Sequence, residues 1–324
     1  MWAVRVSEHG GPEVLSWMEV PDPEPGPGEI LVKVEAAGVN FIDTYQRSGL
    51  YEVKLPFTLG SEGAGAVMAV GPGVTDFAVG DRAAWCQGGS GSYAELCAVP
   101  TDKAVPVPAN LSNDLAAASL LQGATAHYLV HDTFQLGPGH RCLVHAGAGG
   151  AGRLLVQMAK IAGAEVIATA GGPDKVEMAR TAGADHVIDY NATNFVTAVE
   201  GLVGPKAVDV VYDGVGQATF DQGLTLLRPR GMMVAFGNAS GPPEPVSLLR
   251  LSQLGSLYVT RPTLGHYTST PVELRARAKA VFDLVADSRL EVVIGMRMPM
   301  SQASEAHRRL EARHTTGKVL LTPG

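Results

Sequence analysis

Residues 145–152 read H-A-G-A-G-G-A-G, four glycines in eight positions, set between a short apolar run and an amphipathic one. Gly147, Gly149 and Gly152 fit G-x-G-x-x-G. In a chain with 39 glycines that pattern alone decides little, so its surroundings must be read with it. Residues 142–146 have the texture of a strand, and 152–162 that of a helix ending at Gly163. The alternation then continues. A strand over 164–170 leads to a helix that has Pro173 in its first turn and stops at Gly183. Four more short apolar strands are expected at 186–189, 208–212, 232–236 and 256–260. Strands alternating with helices predict an α/β fold with a doubly wound parallel sheet over 125–262. A glycine loop that leaves a strand and opens a helix is a dinucleotide fingerprint. The glycines permit a tight turn, close approach of a pyrophosphate, and contact between helix and strand, while unpaired N–H groups at the helix start face the phosphates.

The first half has a different texture. Strand-like runs at 30–39 and 64–74 are broken by glycine and proline, and residues 21–29, P-D-P-E-P-G-P-G-E, form an extended turn rather than a linker. A helix is expected over 111–123 with Ser112 as N-cap, followed by a second helical run over 125–134. Beyond 262 come a helix at 273–286, a strand near 292–296, a helix at 303–312 and a last strand at 318–322. The expected organisation is a β-rich domain, 1–124, completed by 263–324, with a Rossmann-type domain, 125–262, between the two pieces.

A net charge of -7 without a run of Lys or Arg counts against nucleic acid as a partner. No stretch offers about 18 consecutive apolar residues to cross a bilayer, and the first eleven residues lack an apolar core of signal-peptide length. Three cysteines indicate no disulfide framework, so a soluble, cytoplasmic protein is expected.

The end of the second Rossmann strand discriminates between cofactors. NAD sites place a carboxylate there for the ribose 2′-hydroxyl. Here residues 169–175 read T-A-G-G-P-D-K: Gly171 removes the carboxylate and its bulk, and Lys175 stands one helical turn on. A 2′-phosphate needs room and a cation, so NADPH is expected, with Tyr190 adding a hydroxyl from the next strand.

Four stretches carry a more specific resemblance: G-V-N-F-I-D-T-Y-Q-R-S-G-L-Y from Gly38, G-S-E-G-A-G from Gly60, V-H-A-G-A-G-G-A-G from Val144 and F-G-N-A-S-G from Phe236. Together with T-G-K-V-L-L at 316–321, they make the whole chain similar to the zinc-independent quinone oxidoreductase (zeta-crystallin-like) family of medium-chain dehydrogenases/reductases. The resemblance implies a GroES-like catalytic domain beside the Rossmann domain. It implies hydride transfer from NADPH to a quinone, and pairing into a homodimer through a sheet edge such as 256–260. Asn40 and Ser61 stand where zinc-dependent relatives carry Cys and His, and Cys86 and Cys97 are too few for a structural zinc lobe, so no metal is expected. Cys142 reads as core packing.

By the same resemblance Asn40 lies beside the nicotinamide, where its amide holds ribose hydroxyls or a water, and Tyr45 and Tyr51 line the substrate pocket. Asp43 reads as a structural hydrogen-bonding residue. Gly147, Gly149, Gly150, Ala151 and Gly152 form the phosphate loop, Thr125, Phe236, Asn238 and Thr260 line the cofactor, and Arg313 reaches its adenine-side phosphate. Two departures are Gln122, where relatives often carry Lys, and Gly214, where some carry Ser. His127 and His131 are spaced i, i+4 but lack the Glu of H-E-x-x-H and a third ligand, and no G-x-S-x-G elbow occurs. Two other functions remain open at this point. One is reduction of activated C=C bonds in enones or acryloyl thioesters. The other is a non-enzymatic dinucleotide-binding protein with an interaction role, including RNA binding.

Overall fold

Along Glu29–Val39, Ile30, Val32 and Val34 are buried while Lys33 and Glu35 are exposed, and this period of two turns one face of the strand into a core. The computed structural model describes residues 1–324 and divides into two units, Met1–Ala124 with Thr268–Gly324, and Thr125–Tyr267. The first unit opens with β1 (Trp2–Val6), β2 (Leu15–Glu19), β3 (Glu29–Val39), α1 (Phe41–Ser48), β4 (Phe57–Thr58) and β5 (Glu62–Val70). β6 (Arg82–Cys86), β7 (Leu96–Pro100), β8 (Ala104–Pro106) and α2 (Asn113–Tyr128) follow. Val4, Ile30, Val32, Leu59, Trp85 and Tyr93 belong to its core. The strand expected through 74 stops at Val70, and the chain then turns at Pro72 and Gly73 (φ 82°), with the Val74 N–H on the Gly71 carbonyl at 3.4 Å.

Where two helices were expected around 124, α2 is continuous. Gly123 does not break it; its missing side chain admits Val281, whose Cγ1 would lie 2.6 Å from a Cβ placed there. Leu129–Thr133 then continues as a wider π-helical turn.

In the second unit the strands and helices alternate: β9 (Arg141–Val144), α3 (Gly150–Ile161), β10 (Glu165–Ala170), α4 (Pro173–Thr181), β11 (His186–Asp189), α5 (Phe195–Val203), β12 (Val208–Asp213), α6 (Phe220–Leu226), β13 (Leu227–Ala235), α7 (Leu248–Gly255), β14 (Tyr258–Thr260) and α8 (Leu264–Tyr267). All six strands are parallel, in the order β11-β10-β9-β12-β13-β14, so the winding reverses between β9 and β12. Leu143, Ile167, Val211, Phe220 and Met233 are among the residues of its core. The last strand begins at Tyr258 rather than 256, because Ser256 adopts a left-handed conformation (φ 55°) that ends α7.

The returning segment starts at 268, five residues later than expected. Tyr267 stays with the second unit: its ring stacks on Tyr128 at 4.2 Å and its hydroxyl accepts from Thr133 Oγ1 at 3.2 Å. α9 (Pro271–Ala286), β15 (Ile294–Pro299), α10 (Ala303–Glu311) and β16 (Lys318–Thr322) complete the first unit. β16 runs antiparallel to β3 with Val319 opposite Val39 and Leu320 opposite Gly38. That register brings Lys318 to Asn40, 278 positions away in sequence.

Candidate functional site

The glycines of 145–152 divide the work between packing and ligand. Gly147 and Gly152 are buried. A Cβ on Gly152 would overlap the Ala146 carbonyl, and one on Gly147 would lie 2.8 Å from Ala168 Cβ, so these two let α3 pack on the sheet. Gly149, Gly150 and Ala151 are partly exposed at the start of α3, whose N-cap, Gly149, has no side chain to occupy the first N–H groups. That leaves an anion-binding helix start at the reversal of strand order.

At the end of β10, Tyr190 lies over Gly171, and a Cβ at 171 would sit 2.5 Å from its hydroxyl oxygen. A side chain at 171 would have to displace the exposed Tyr190 ring. The Asp189 carboxylate is turned to the backbone, accepting from the N–H of Gly172 and of Asn191, each at 2.9 Å. Lys175 lies in the first turn of α4, half-buried, and Tyr190 is exposed. Room without a carboxylate, a phenol and an ammonium on one strand end suit a phosphorylated ribose.

After β12 and β13 two loops clasp one another. Buried Asp213 accepts from the N–H of Val215 (2.7 Å) and Gly216 (3.0 Å) and from Thr219 Oγ1, while the Phe236 N–H bonds the Asp213 carbonyl at 2.8 Å. Gly214 is explained here: a Cβ would press on the Phe236 ring at 3.0 Å. Phe236 and Asn238 lie on this clasp, Thr260 ends β14, and Thr125 opens the unit.

In the first unit Asn40 precedes α1 and anchors a buried polar cluster. Its backbone N–H donates to Asp43 Oδ2 at 2.8 Å. Its Nδ2 donates to Glu62 Oε1 (2.7 Å) and to the Gly38 carbonyl (3.3 Å), and its Oδ1 accepts from Lys318 Nζ (2.8 Å) and Gln122 Nε2 (3.2 Å). Lys318 also pairs with Glu62 Oε1, and the other Glu62 oxygen accepts from the Leu121 N–H at 2.9 Å. Both donors and both acceptor positions of the amide are thus used inside the unit. Asn40, expected beside the nicotinamide, is held within this unit through both ends of its amide.

The same cluster extends through Asp43, which accepts from Ser61 Oγ (2.6 Å) and from the Tyr93 hydroxyl (2.9 Å). Burial pushes the Asp43 carboxyl up to about 6, against hydrogen bonds that favour its charge. Beyond Tyr93 lies His307, whose Nδ1 is 3.0 Å from Arg47 Nη1. A guanidinium only donates, so Nδ1 accepts and the ring proton sits on Nε2, directed to the Tyr93 oxygen at 3.4 Å. Burial, with Arg47 adding repulsion, holds the imidazole neutral down to about 3. Arg47 is itself paired with Glu311 at 2.6 Å.

These donors do not fit zinc. Asn40 is saturated, Ser61 Oγ donates to Asp43, and an ammonium already occupies Glu62. Burial raises the thiols of Cys86 and Cys97, the latter to about 11, away from the thiolate a metal needs. The rings of His127 and His131 lie 4.5 Å apart, but no group of three or more His, Cys, Asp or Glu gathers in the chain to hold a metal ion.

Tyr45 is buried and meets Phe41 at 6.2 Å and, edge-on at 5.2 Å, the exposed Tyr51, so the two tyrosines expected at a substrate pocket are in ring contact. Arg313 is exposed just past α10, in a left-handed turn (φ 60°). Glu62 and Lys318 were missed by sequence reading. Their one signal is a charge set inside an apolar run, in G-S-E-G-A-G and in K-V-L-L.

Residues 26–109 match the alcohol dehydrogenase GroES-like domain family, and residues 150–287 match the zinc-binding dehydrogenase family. A quinone oxidoreductase of Pseudomonas aeruginosa is 46% identical over 321 residues, covering 99% of both chains. A 2-haloacrylate reductase of a Burkholderia species is 40% identical over 328 residues, covering 99% of this chain and 98% of that one. The crystal structure of Escherichia coli quinone oxidoreductase complexed with NADPH superposes with a TM-score of 0.97 at 42% identity over all of both chains. With its fold, its glycine loop and its full-length likeness agreeing, the chain belongs to the quinone oxidoreductase family of medium-chain dehydrogenases/reductases.

Proposed function

We propose that the chain is an NADPH-dependent quinone reductase that works without a metal. The observation that carries this reading is the uncapped start of α3, where Gly150 and Ala151 offer N–H groups, the Gly149 N–H being turned to the Ala146 carbonyl at 2.9 Å, beside a strand end with room for a 2′-phosphate. NADPH, when bound, supplies hydride from its nicotinamide. Gly150 and Ala151 meet the pyrophosphate on a turn that Gly147, Gly149 and Gly152 shape, Lys175 and Tyr190 hold the 2′-phosphate, and Thr125, Phe236, Asn238 and Thr260 line the rest of the cofactor. The protein's share of the rate is proximity and orientation, since a quinone delocalises the charge it receives. Tyr45 and Tyr51 offer rings on which a planar quinone stacks. Reduction of activated alkenes on the same scaffold is the second reading, favoured by the likeness to a 2-haloacrylate reductase.

The reading includes a homodimer. β14 is the unpaired edge of the six-stranded sheet, with Tyr258 57% and Val259 39% exposed, and α7 before it exposes Leu248 and Leu249. It also includes the cytoplasm, where three buried, unpaired thiols stay reduced. No helix is long and apolar enough to cross a membrane.

Steady-state oxidation of NADPH and NADH in parallel, with benzoquinone, a naphthoquinone and a simple enone, tests the reading. NADPH-preferring quinone turnover unaffected by chelator is expected. Enone turnover alone would move the assignment to alkene reduction, and cofactor binding without turnover would leave a non-enzymatic role. Lys175→Ala is expected to lower kcat/KM for NADPH about tenfold, as loss of a charge-assisted contact does, with NADH little changed. Equal losses for both cofactors would remove the basis of the cofactor assignment.

A further inference from the structure

Ala146, not a glycine, is the residue of 145–152 that takes a left-handed conformation (φ 55°). A residue with a Cβ keeps that conformation only where its neighbours hold it. Its carbonyl accepts the Gly149 N–H at 2.9 Å, closing the turn that leads Gly150 and Ala151 into α3. Its own N–H donates to Thr169 Oγ1 at 3.4 Å, and the Gly147 N–H donates to the Thr169 carbonyl at 2.9 Å. Thr169, on β10, thus holds two successive N–H groups of the loop. The hydroxyl is itself oriented. With the Ala146 N–H on one lone pair, its proton has a single acceptor in reach, His145 Nδ1 at 3.0 Å. Nδ1 therefore accepts, and the ring proton sits on Nε2. That nitrogen has no hydrogen-bond partner, and the ring meets Phe195 edge-on at 4.9 Å. His145 and Thr169 are only 1% and 2% exposed. Burial holds the imidazole below its ordinary range against the pull of Asp213, the one charged group that acts on it, so the Nδ1 lone pair stays open to the hydroxyl.

We infer that His145 and Thr169 are positioning residues for the pyrophosphate of the cofactor. The imidazole turns the hydroxyl, the hydroxyl holds Ala146, and Ala146 sets the turn on which the Gly150 and Ala151 N–H groups meet the phosphates. This rests on the NADPH-dependent reading and extends it to two side chains that the G-x-G-x-x-G pattern does not contain. NADPH and NADH share the pyrophosphate and differ at the 2′-phosphate. The link from His145 to Ala146 therefore acts on both cofactors alike, whereas Lys175 acts on one.

The test is calorimetric titration of the quinone-free protein with NADPH and, separately, with NADH. The proteins compared are the wild type, Thr169→Val, Thr169→Ser, His145→Leu and the double variant Thr169→Val/His145→Leu. Thr169→Val keeps the shape of the side chain and loses the hydroxyl. It and His145→Leu are each expected to raise Kd about tenfold, the net worth of one hydrogen bond, by the same factor for both cofactors. Thr169→Ser restores the hydroxyl and is expected to stay within about threefold of wild type. Because the two side chains act in series, the double variant is expected to lose no more than either single one. At saturating NADPH, kcat with 1,4-naphthoquinone is expected to stay within about twofold in Thr169→Val. A Kd unmoved by Thr169→Val, a loss confined to NADPH, a Thr169→Ser as weak as Thr169→Val, or two losses that multiply in the double variant overturns the inference and leaves the cofactor reading intact. Wild-type protein that binds neither cofactor overturns the reading itself. Melting temperatures of the cofactor-free variants separate a misplaced loop from a lost fold. If His145→Leu does not fold, Thr169→Val and Thr169→Ser decide.

Discussion

Gly38 shows how one absent side chain can be fixed by chemistry far away in sequence. It sits in β3 opposite Leu320 of β16, where Glu62 and Lys318 meet, and a Cβ there would overlap Glu62 Oε1 and lie 2.6 Å from Lys318 Cε. The Lys318 stem is flexible in principle, but its head and the Glu62 carboxylate are fixed by Asn40 and the Leu121 N–H. Gly38→Ala must therefore part a buried ion pair or shift a strand. Leaving buried charges uncompensated costs about 3–5 kcal/mol. Urea unfolding is expected to show a loss of that order, and a loss under about 1 kcal/mol would mean the pair relaxes freely. The sequence offers G-V-N at 38–40 as a motif, but not the reason for its glycine. Such reasons lie in pairings such as Asn40 with Lys318, which no local periodicity encodes.

At the scale of elements, the long-period signals were legible and the short ones were not. β9 to β13 alternate with helices, and their apolar runs were readable because both sheet faces are covered. β1, β2, β4, β7 and β8 run two to five residues each, too short for a period of two to stand out. The last strand of the sheet was expected from 256, two residues early, because a serine, rather than a glycine, takes the left-handed cap that ends α7. α10 illustrates a role that its amphipathic pattern conceals. It buries Ala303, Ala306 and His307, and the imidazole is a hydrogen-bonding link between Arg47 and Tyr93 rather than a filler.

Its protonation has a sign that can be measured. In the fold His307 stays neutral to about 3, whereas the unfolded chain's imidazole protonates near 6.5, so falling pH draws the equilibrium toward unfolding across that window. Asp43 works oppositely: it takes its proton near 6 in the fold but near 3.8 in the unfolded chain, so its contribution favours the fold as pH falls between those values. His307→Gln removes the first contribution and keeps the second. The stability gap between wild type and variant is expected to be widest above pH 6.5 and to narrow by about 1.4 kcal/mol per pH unit below it. A gap that does not change with pH would show that the folded imidazole titrates normally.

For the whole molecule, the sequence gives the order of its parts and leaves their outer edges to be argued from exposure. A parallel sheet of six strands has two edges, and they differ. β11 ends in Asp189, whose carboxylate is held by the Gly172 and Asn191 N–H groups. β14 is three residues long with Tyr258 and Val259 outward, next to a helix whose first two leucines are 81% and 66% exposed. Apolar side chains beside unpaired backbone groups favour covering by a like surface, and two copies meeting there would join their sheets edge to edge. Leu248→Glu/Leu249→Glu places like charges on each side of such a symmetric contact without touching the glycine loop or Lys175. Sedimentation velocity is expected to give a dimer for the wild type and a monomer for the double variant, with NADPH binding retained. A wild-type monomer would remove the proposed assembly. A double variant that stays dimeric would move the interface to another face, since two carboxylates per copy could not be buried against their counterparts without a partner.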